Sequence, residues 1–434
     1  MHEHIHIKNG TLYIEDCNAL ELAQRYKTPL YVMSESSIRQ KCQMVKSDFL
    51  DKHDDVHAAY ASKAMLTTAL IKIIQQEGLY MDVVSGGELY MAIQADFPTD
   101  KIIFHGNNKS LEELEYAIKH QVGRIVVDNL YELKALNTLC AALNRRARIL
   151  FRITPGVASS THDYIATGKK DSKFGISLDD AVIYPAIQEV LNQPLIDFMG
   201  FHFHVGSQIF DHTSHIKATE IALNLIKNVK ERFDFTVKEL NTGGGYGVKY
   251  TRDDVPQTIA YFTDAIMETI DGFCKTNHIA RPTVFIEPGR FIVGEAGITL
   301  YKIGSVKELP GIRTYVAVDG GMTDNIRPAL YQAKYEALIV TKADLPASQT
   351  VTLCGKCCES GDILIENLPL PVIDEDDILA VFSTGAYNYS MASHYNKHTL
   401  PAMVLVNGSN AFEIIKRETY EDLVRFDQVP DYLK

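Results

Sequence analysis

Val56-His57-Ala58-Ala59-Tyr60-Ala61-Ser62-Lys63-Ala64 reads as a short strand of small and aromatic residues that closes on a lysine. A lysine at the end of an apolar strand is partly desolvated, which lowers its pKa and frees the neutral amine to attack a carbonyl. That is Schiff-base chemistry. A strand-end lysine ordinarily does no more than snorkel to solvent, so the rest of the chain has to supply the reason to prefer chemistry.

Working outward, apolar runs alternate with amphipathic stretches from Ser34 to about residue 285. The runs are Val56–Tyr60, Met81–Val84, Ile102–Phe104, Arg124–Val127, Ile149–Ile153, Gly200–His204, Val237–Leu240 and Thr283–Ile286. Helical patterns such as Leu111–Ile118 and Ile216–Phe233 lie between them. Eight strands, each followed by a helix or long connection over roughly 250 residues, predict a (β/α)8 TIM barrel. Beyond residue 290 the helical period fades. Gly297–Ile303, Arg313–Val318, Tyr335–Val340, Thr350–Leu353, Ile378–Phe382 and Ala402–Val406 are short strands between turn-forming residues. They predict a C-terminal β-sandwich or barrel-like domain. Leu12-Tyr13-Ile14 and Pro29-Leu30-Tyr31-Val32 at the start have nowhere else to bury an apolar face, and are expected to join it. The expected divisions are therefore 1–33, a strand segment belonging to the β-domain; 34–288, the barrel; and 289–434, the β-domain.

Composition narrows the partners. At 434 residues the chain exceeds what one core usually serves, and 46% apolar content suffices for two. A net charge of −12 without a basic run argues against nucleic acid. No stretch of eighteen apolar residues exists to cross a membrane, and the opening Met1-His2-Glu3-His4-Ile5-His6 lacks the pattern of a secretory leader. The expectation is a cytoplasmic protein acting on a small molecule. Seven scattered cysteines do not form a disulfide framework; Cys354, Cys357 and Cys358 alone are clustered, and without a second pair at ligand spacing they do not make structural zinc.

In a parallel barrel the active site lies where the strands end, so the residues following each run carry the chemistry. Ser85-Gly86-Gly87-Glu88, His105-Gly106-Asn107-Asn108-Lys109 and Val205-Gly206-Ser207-Gln208 follow strands two, three and six. After strand seven comes Asn241-Thr242-Gly243-Gly244-Gly245, whose glycines let backbone N–H groups approach an anion at the usual phosphate position of such barrels. Strand eight ends Glu287-Pro288-Gly289-Arg290, where proline fixes the chain and glycine lets it turn toward a ligand. A carboxylate facing a heteroaromatic ring nitrogen would keep that nitrogen protonated and strengthen an electron sink. His202 and His204 share one face of strand six, and one of them can lie flat against a ring. The same His-x-His pair also suits a metal-dependent amidohydrolase, a reading that leaves the glycines and the Glu287 motif unexplained. In the β-domain Arg327 and Tyr331 stand four apart, Cys358-Glu359-Ser360-Gly361-Asp362 places a thiol beside acids, and Gly385-Ala386-Tyr387 forms a third polar loop.

With these motifs assembled, the chain resembles the pyridoxal-phosphate-dependent diaminopimelate decarboxylases of the alanine-racemase-like barrel class, from about residue 26 to 425. The quoted motifs and Ser172-Lys173-Phe174-Gly175 carry the resemblance. Many relatives have Asn where this chain has Met65, a departure that touches packing beside the lysine. The resemblance implies that Lys63 carries pyridoxal 5'-phosphate as a Schiff base, His204 stacks on its ring and Glu287 faces the pyridine nitrogen. It implies that Ser207, Gly244 and the Pro288-Gly289-Arg290 turn hold the phosphate, with Tyr387 nearby. Arg290, Arg327, Tyr331, Glu359 and Tyr387 would contact substrate, and Cys358 would donate a proton into the partner's site of a homodimer with shared active sites. The implied reaction converts meso-diaminopimelate to L-lysine and carbon dioxide. Ornithine- or arginine-type decarboxylases, alanine racemase and non-catalytic pyridoxal-phosphate-binding barrels are the rivals; the racemases lack this Cys-Glu-Ser-Gly-Asp loop, and the non-catalytic proteins end where the barrel ends.

Overall fold

The computed structural model describes residues 3–157 and 172–434. The chain divides into two compact units. One comprises Arg39–Val248 and Val255–Ile292; the other comprises Met1–Ile38, Lys249–Asp254 and Val293–Lys434.

The first unit is a closed barrel of eight parallel strands: β1 Val56–Ala61, β2 Tyr80–Val83, β3 Ile102–Phe104, β4 Arg124–Val127, β5 Ala147–Arg152, β6 Ile196–His202, β7 Glu239–Asn241 and β8 Thr283–Ile286. Phe285 of β8 opposite His57 of β1 closes the ring. The strands read as continuous apolar runs because a parallel barrel buries both faces. Ala59, Ile103, Val126, Leu150 and Phe285 fill the interior as one packed cluster. Helices start where the sequence offers a cap: Ser85 accepts from Glu88 N, Asn129 from Glu132 N, and Ser110 forms a reciprocal capping box with Glu113. These caps sit in the loops that leave the strands, so the residues that start the helices also shape the barrel mouth.

One strand departs from expectation in a way that matters for the site. β6 begins at Ile196 and ends at His202, so His204 lies beyond it. Its last ladder partner is Asn241, after which β7 turns away through Gly243 at φ +70°, a left-handed conformation glycine adopts freely. Phe203 N still donates to Asn241 O at 3.0 Å, and His204 lies past that last contact.

In the second unit, Gly297–Leu309 is the hub of a nine-stranded sheet. It pairs antiparallel with Leu30–Ser34, Arg313–Val318 and Ile378–Phe382. Leu30–Ser34 in turn pairs in parallel with Ala402–Asn407. Leu12-Tyr13-Ile14 does not enter that sheet; Thr11–Ile14 pairs with Ile5–Lys8 and Cys17–Asn18 in a small sheet of its own. Its Leu12 and Ile14 still share one core with Leu30, Val32, Leu300 and Val404, so burial unites what hydrogen bonding separates. Two strands of the nine-stranded sheet escaped the sequence pattern, Ile363–Leu370 and Asn410–Ile415. The first contains Pro369 and a left-handed Asn367, and the second is largely exposed, so neither alternates cleanly.

Candidate active site

Lys63 lies in the single 3-10 turn Ser62–Ala64 that ends β1. As a residue it is exposed, while its charge acts on the buried Asp82 and on His204. The turn itself is tightly held. Ser62 Oγ donates to Glu88 Oε2 at 2.8 Å, and the same oxygen accepts Val84 N at 2.7 Å. Tyr60 Oη donates to the Met65 carbonyl at 2.6 Å, and Met65 is buried. A Cβ on Gly289 would stand 2.9 Å from Ala61 Cβ, so glycine there is what lets the β8 turn pack against the lysine turn.

Glu287, at the end of β8, is buried among donors. Asn241 Nδ2 donates to its Oε1 at 2.7 Å and His202 Nε2 to its Oε2 at 3.1 Å. His105 Nε2 approaches Oε1 at 2.8 Å, off the axis of an ideal hydrogen bond. Burial alone would raise this carboxyl, yet His105 and His202 hold it well below the usual range. Asp82, with Oδ1 3.8 Å from His105 Nε2, behaves oppositely: burial pushes it up to about 6 despite the favourable field of His105. Ligand atoms of His105, His202 and Glu287 lie within 4.8 Å of one another, the one feature that suits the metal reading. That reading required His204 as well, which is not among them.

His204 is half-buried, and burial together with the charges of Lys63 and Arg152 holds its pKa well below the usual value, so it is a neutral ring. Its Nδ1 accepts from Gly244 N at 3.3 Å. The glycine run is needed for packing as well as for any anion: a Cβ on Gly244 would fall 2.0 Å from the Glu287 carbonyl oxygen. The Gly244 carbonyl accepts from Nε2 of buried His215, 2.9 Å away, whose ring lies parallel to Tyr246. Burial lowers His215 to about 4.

A stability measurement follows from that value. Between pH 6.5 and 4 the unfolded chain protonates this histidine and the folded chain does not, so its contribution falls as pH falls. Relative to a His215→Gln variant, the native protein is expected to lose about 1.4 kcal/mol of its advantage per pH unit across that window. Urea unfolding of both proteins at several pH values measures it; a constant gap would contradict a neutral buried imidazole.

Ser207 Oγ accepts from Arg290 Nη2 at 2.9 Å, so the loop after β6 and the turn after β8 meet. Pro288 and Gly289 are buried in that turn. Ser172-Lys173-Phe174-Gly175 lies against the ends of β4 and β5: Gly175 N donates to Asp128 Oδ2 at 3.0 Å, and the Arg152 guanidinium sits 4.2 Å over the Phe174 ring.

In the second unit, Arg327 and Tyr331 stand one turn apart on the helix Arg327–Tyr331. Arg327 is buried, donates to Tyr335 Oη and lies 4.7 Å over the Tyr250 ring; the two phenols raise its pKa further against the pull of burial. Tyr387 is half-buried at φ +62°. Cys358 and Glu359 are exposed; Cys358 N donates to Asn396 Oδ1 at 2.7 Å, and Tyr395 Oη reaches Glu359 at 3.4 Å. Asp362 ties these loops together, accepting Met322 N at 2.7 Å and Cys357 N at 2.8 Å, while Lys356 N donates to Gly320 O at 3.0 Å. All seven cysteines are free thiols, and burial lifts Cys357 to about 11.

His105, Asn241, Arg152, Asp82, His215 and Asp362 were not singled out as site residues. Asn241 and His105 stood in loops quoted for their glycines, so position at a strand end was the available signal; His215, inside a helix, offered none.

A profile described as "Pyridoxal-dependent decarboxylase, pyridoxal binding domain" matches residues 35–294, which defines the class. The chain is 48% identical over 420 residues to the diaminopimelate decarboxylase of Bacillus subtilis, covering 97% of this chain and 96% of that one. The crystal structure of diaminopimelate decarboxylase from M. jannaschii superposes with a TM-score of 0.94 at 35% identity, covering 100% of this chain and 99% of that one. This chain belongs to the diaminopimelate decarboxylase family. The lysine/ornithine decarboxylase of Vibrio vulnificus, at 22% identity and a TM-score of 0.76, shares the fold alone. Among the described residues no helix is long and apolar enough to cross a membrane.

Proposed function

We propose that the protein removes the carboxylate at one end of meso-diaminopimelate as carbon dioxide, giving L-lysine, with pyridoxal 5'-phosphate bound at Lys63. The observation that carries this reading is the end-to-end identity with diaminopimelate decarboxylases through both units, where the ornithine-type neighbour shares only the fold. The residues fit the cofactor. Glu287 is an ionised acceptor for a ring N–H, His204 is a neutral ring beside it, and Gly244 and Gly289 stand where a side chain would collide. When bound, the cofactor supplies an electron sink for the pair left behind when carbon dioxide departs.

In this reading Lys63 holds the cofactor aldehyde, Glu287 keeps the ring nitrogen protonated and His204 lies on the ring. Ser207, Gly244 and the backbone of Gly289 and Arg290 take the phosphate, with Pro288 setting the turn. Arg290, Arg327, Tyr331, Glu359 and Tyr387 recognise the substrate, and a proton from Cys358 replaces the lost carboxylate, Lys63 being the alternative donor. The protein acts as a cytoplasmic homodimer in which Cys358 serves the partner's site; seven free thiols suit a reducing compartment. The deciding assay is carbon dioxide release from purified protein with pyridoxal phosphate and diaminopimelate stereoisomers, lysine, ornithine and arginine. Release confined to the meso isomer is expected, and turnover of ornithine or arginine instead would replace this reading.

Sharing of sites has its own test. Lys63→Ala and Cys358→Ala proteins, each nearly inactive, should regain about a quarter of native activity after subunits exchange at random, because hybrid dimers then hold one intact site. Verified exchange without recovery would assign each site to a single chain.

A further inference from the structure

Glu287 is surrounded by more machinery than a single contact to a ring nitrogen requires. A carboxylate has about four acceptor positions. On Glu287 two positions on Oε1 face Asn241 Nδ2 and His105 Nε2, and one on Oε2 takes His202 Nε2. The His105 and His202 rings stand edge to face with centroids 4.7 Å apart, so they brace each other on either side of the carboxylate. All three residues are nearly excluded from solvent.

We propose that His105 and His202 form one positioning pair, each aiming an Nε2–H at Glu287, which holds this group as a fixed carboxylate and leaves one acceptor position on Oε2 for the cofactor's ring N–H. This rests on the reading that pyridoxal phosphate occupies the site. The direction of proton donation follows from chemistry. An ionised carboxylate only accepts, so both imidazoles have to present N–H at the nitrogen that faces it. His202 has the charge state this needs, since burial pushes its pKa to about 4 and it donates as a neutral ring. A neutral donor at His202 is the better choice here: an imidazolium would compete with the ring nitrogen for the carboxylate's charge, whereas a neutral N–H orients the carboxylate and leaves its negative charge to the ligand. The off-axis His105 contact is of the kind that tightens when a ligand is seated. Asp82 and Arg152 face the same cluster, the former at 3.8 Å from His105, and Lys63 acts on it from the turn after β1.

The test uses the full-length apoprotein and pyridoxal phosphate. His105→Leu and His202→Leu remove the donors; His105→Gln and His202→Gln keep a neutral N–H of similar reach. The leucine variants are expected to bind cofactor about 10- to 100-fold more weakly, as loss of an orienting partner does at other sites, with the glutamine variants restored to near native affinity. With ring-¹⁵N-labelled cofactor, the leucine variants should lose the pyridinium signal that the native and glutamine proteins show. A leucine variant with native affinity and an unchanged ¹⁵N shift overturns the pair, and so does a glutamine variant as weak as its leucine counterpart. If leucine variants do not fold, ¹⁵N-histidine NMR of the native apoprotein still decides: both rings should be Nε2–H tautomers, and an Nδ1–H tautomer at either overturns the proposal. Failure of the native apoprotein to bind pyridoxal phosphate at all would sink the cofactor reading, while the tautomer measurement would continue to judge the pair.

Discussion

Lys63→Ala protein is expected to lose activity on meso-diaminopimelate by a factor on the order of 10⁴ or more, the scale seen when a covalent nucleophile is removed. Because Lys63 is exposed in a turn held by Ser62, Glu88 and Tyr60, its truncation opens no cavity in the core, and the melting temperature should stay within a degree or two of native. Borohydride treatment of native protein loaded with pyridoxal phosphate should fix the label to the peptide containing residue 63. A label on another lysine would withdraw the assignment.

Arg327→Lys should lower kcat/KM on meso-diaminopimelate about 100-fold, equivalent to about 2.7 kcal/mol, with little turnover of lysine by either protein. The distal end of the substrate carries an ammonium and a carboxylate, whereas lysine carries only the ammonium. A guanidinium fork fits that carboxylate in two places, and the lysine ammonium keeps the charge without the fork. Stacking on Tyr250 and the bond to Tyr335 fix the plane of Arg327 before a ligand arrives, which lowers the entropy cost of the contact. The competing role is a strut within the β-unit, and the same variant separates them: a lower melting temperature with kcat/KM unchanged would make Arg327 structural.

The barrel was legible because its strands are buried on both faces and stand out as apolar runs; seven of the eight fell within two residues of their expected limits at both ends. What failed was register at the mouth. His202 and His204 looked equivalent by alternation, but β6 and β7 end together at the His202–Asn241 pair; His202 points to Glu287, and His204, beyond the strand, meets Gly244. His105 illustrates the other limit. Nothing local distinguishes it from any polar residue after a strand, and its partner Glu287 lies far along the chain, brought near only by closure of the barrel. The exposure of Lys63 as a residue shows the same thing from the opposite side, since a strand-end position does not say whether anything covers it.

The clamp made by Asp362 has a consequence for anyone redesigning substrate preference. One carboxylate binds the backbone on both sides, at Met322 and at Cys357, and Gly321 and Gly355 are pressed so closely on it that a Cβ on either would fall within 2.5 Å of its Oδ2. The stretch leading to Arg327 and the stretch carrying Cys358 and Glu359 are thus held as a single unit. Transplanting the cysteine loop alone from a decarboxylase of another specificity would carry its aspartate across without the donor stretch that the aspartate binds; a working chimera has to carry residues 320–331 and 354–362 across together.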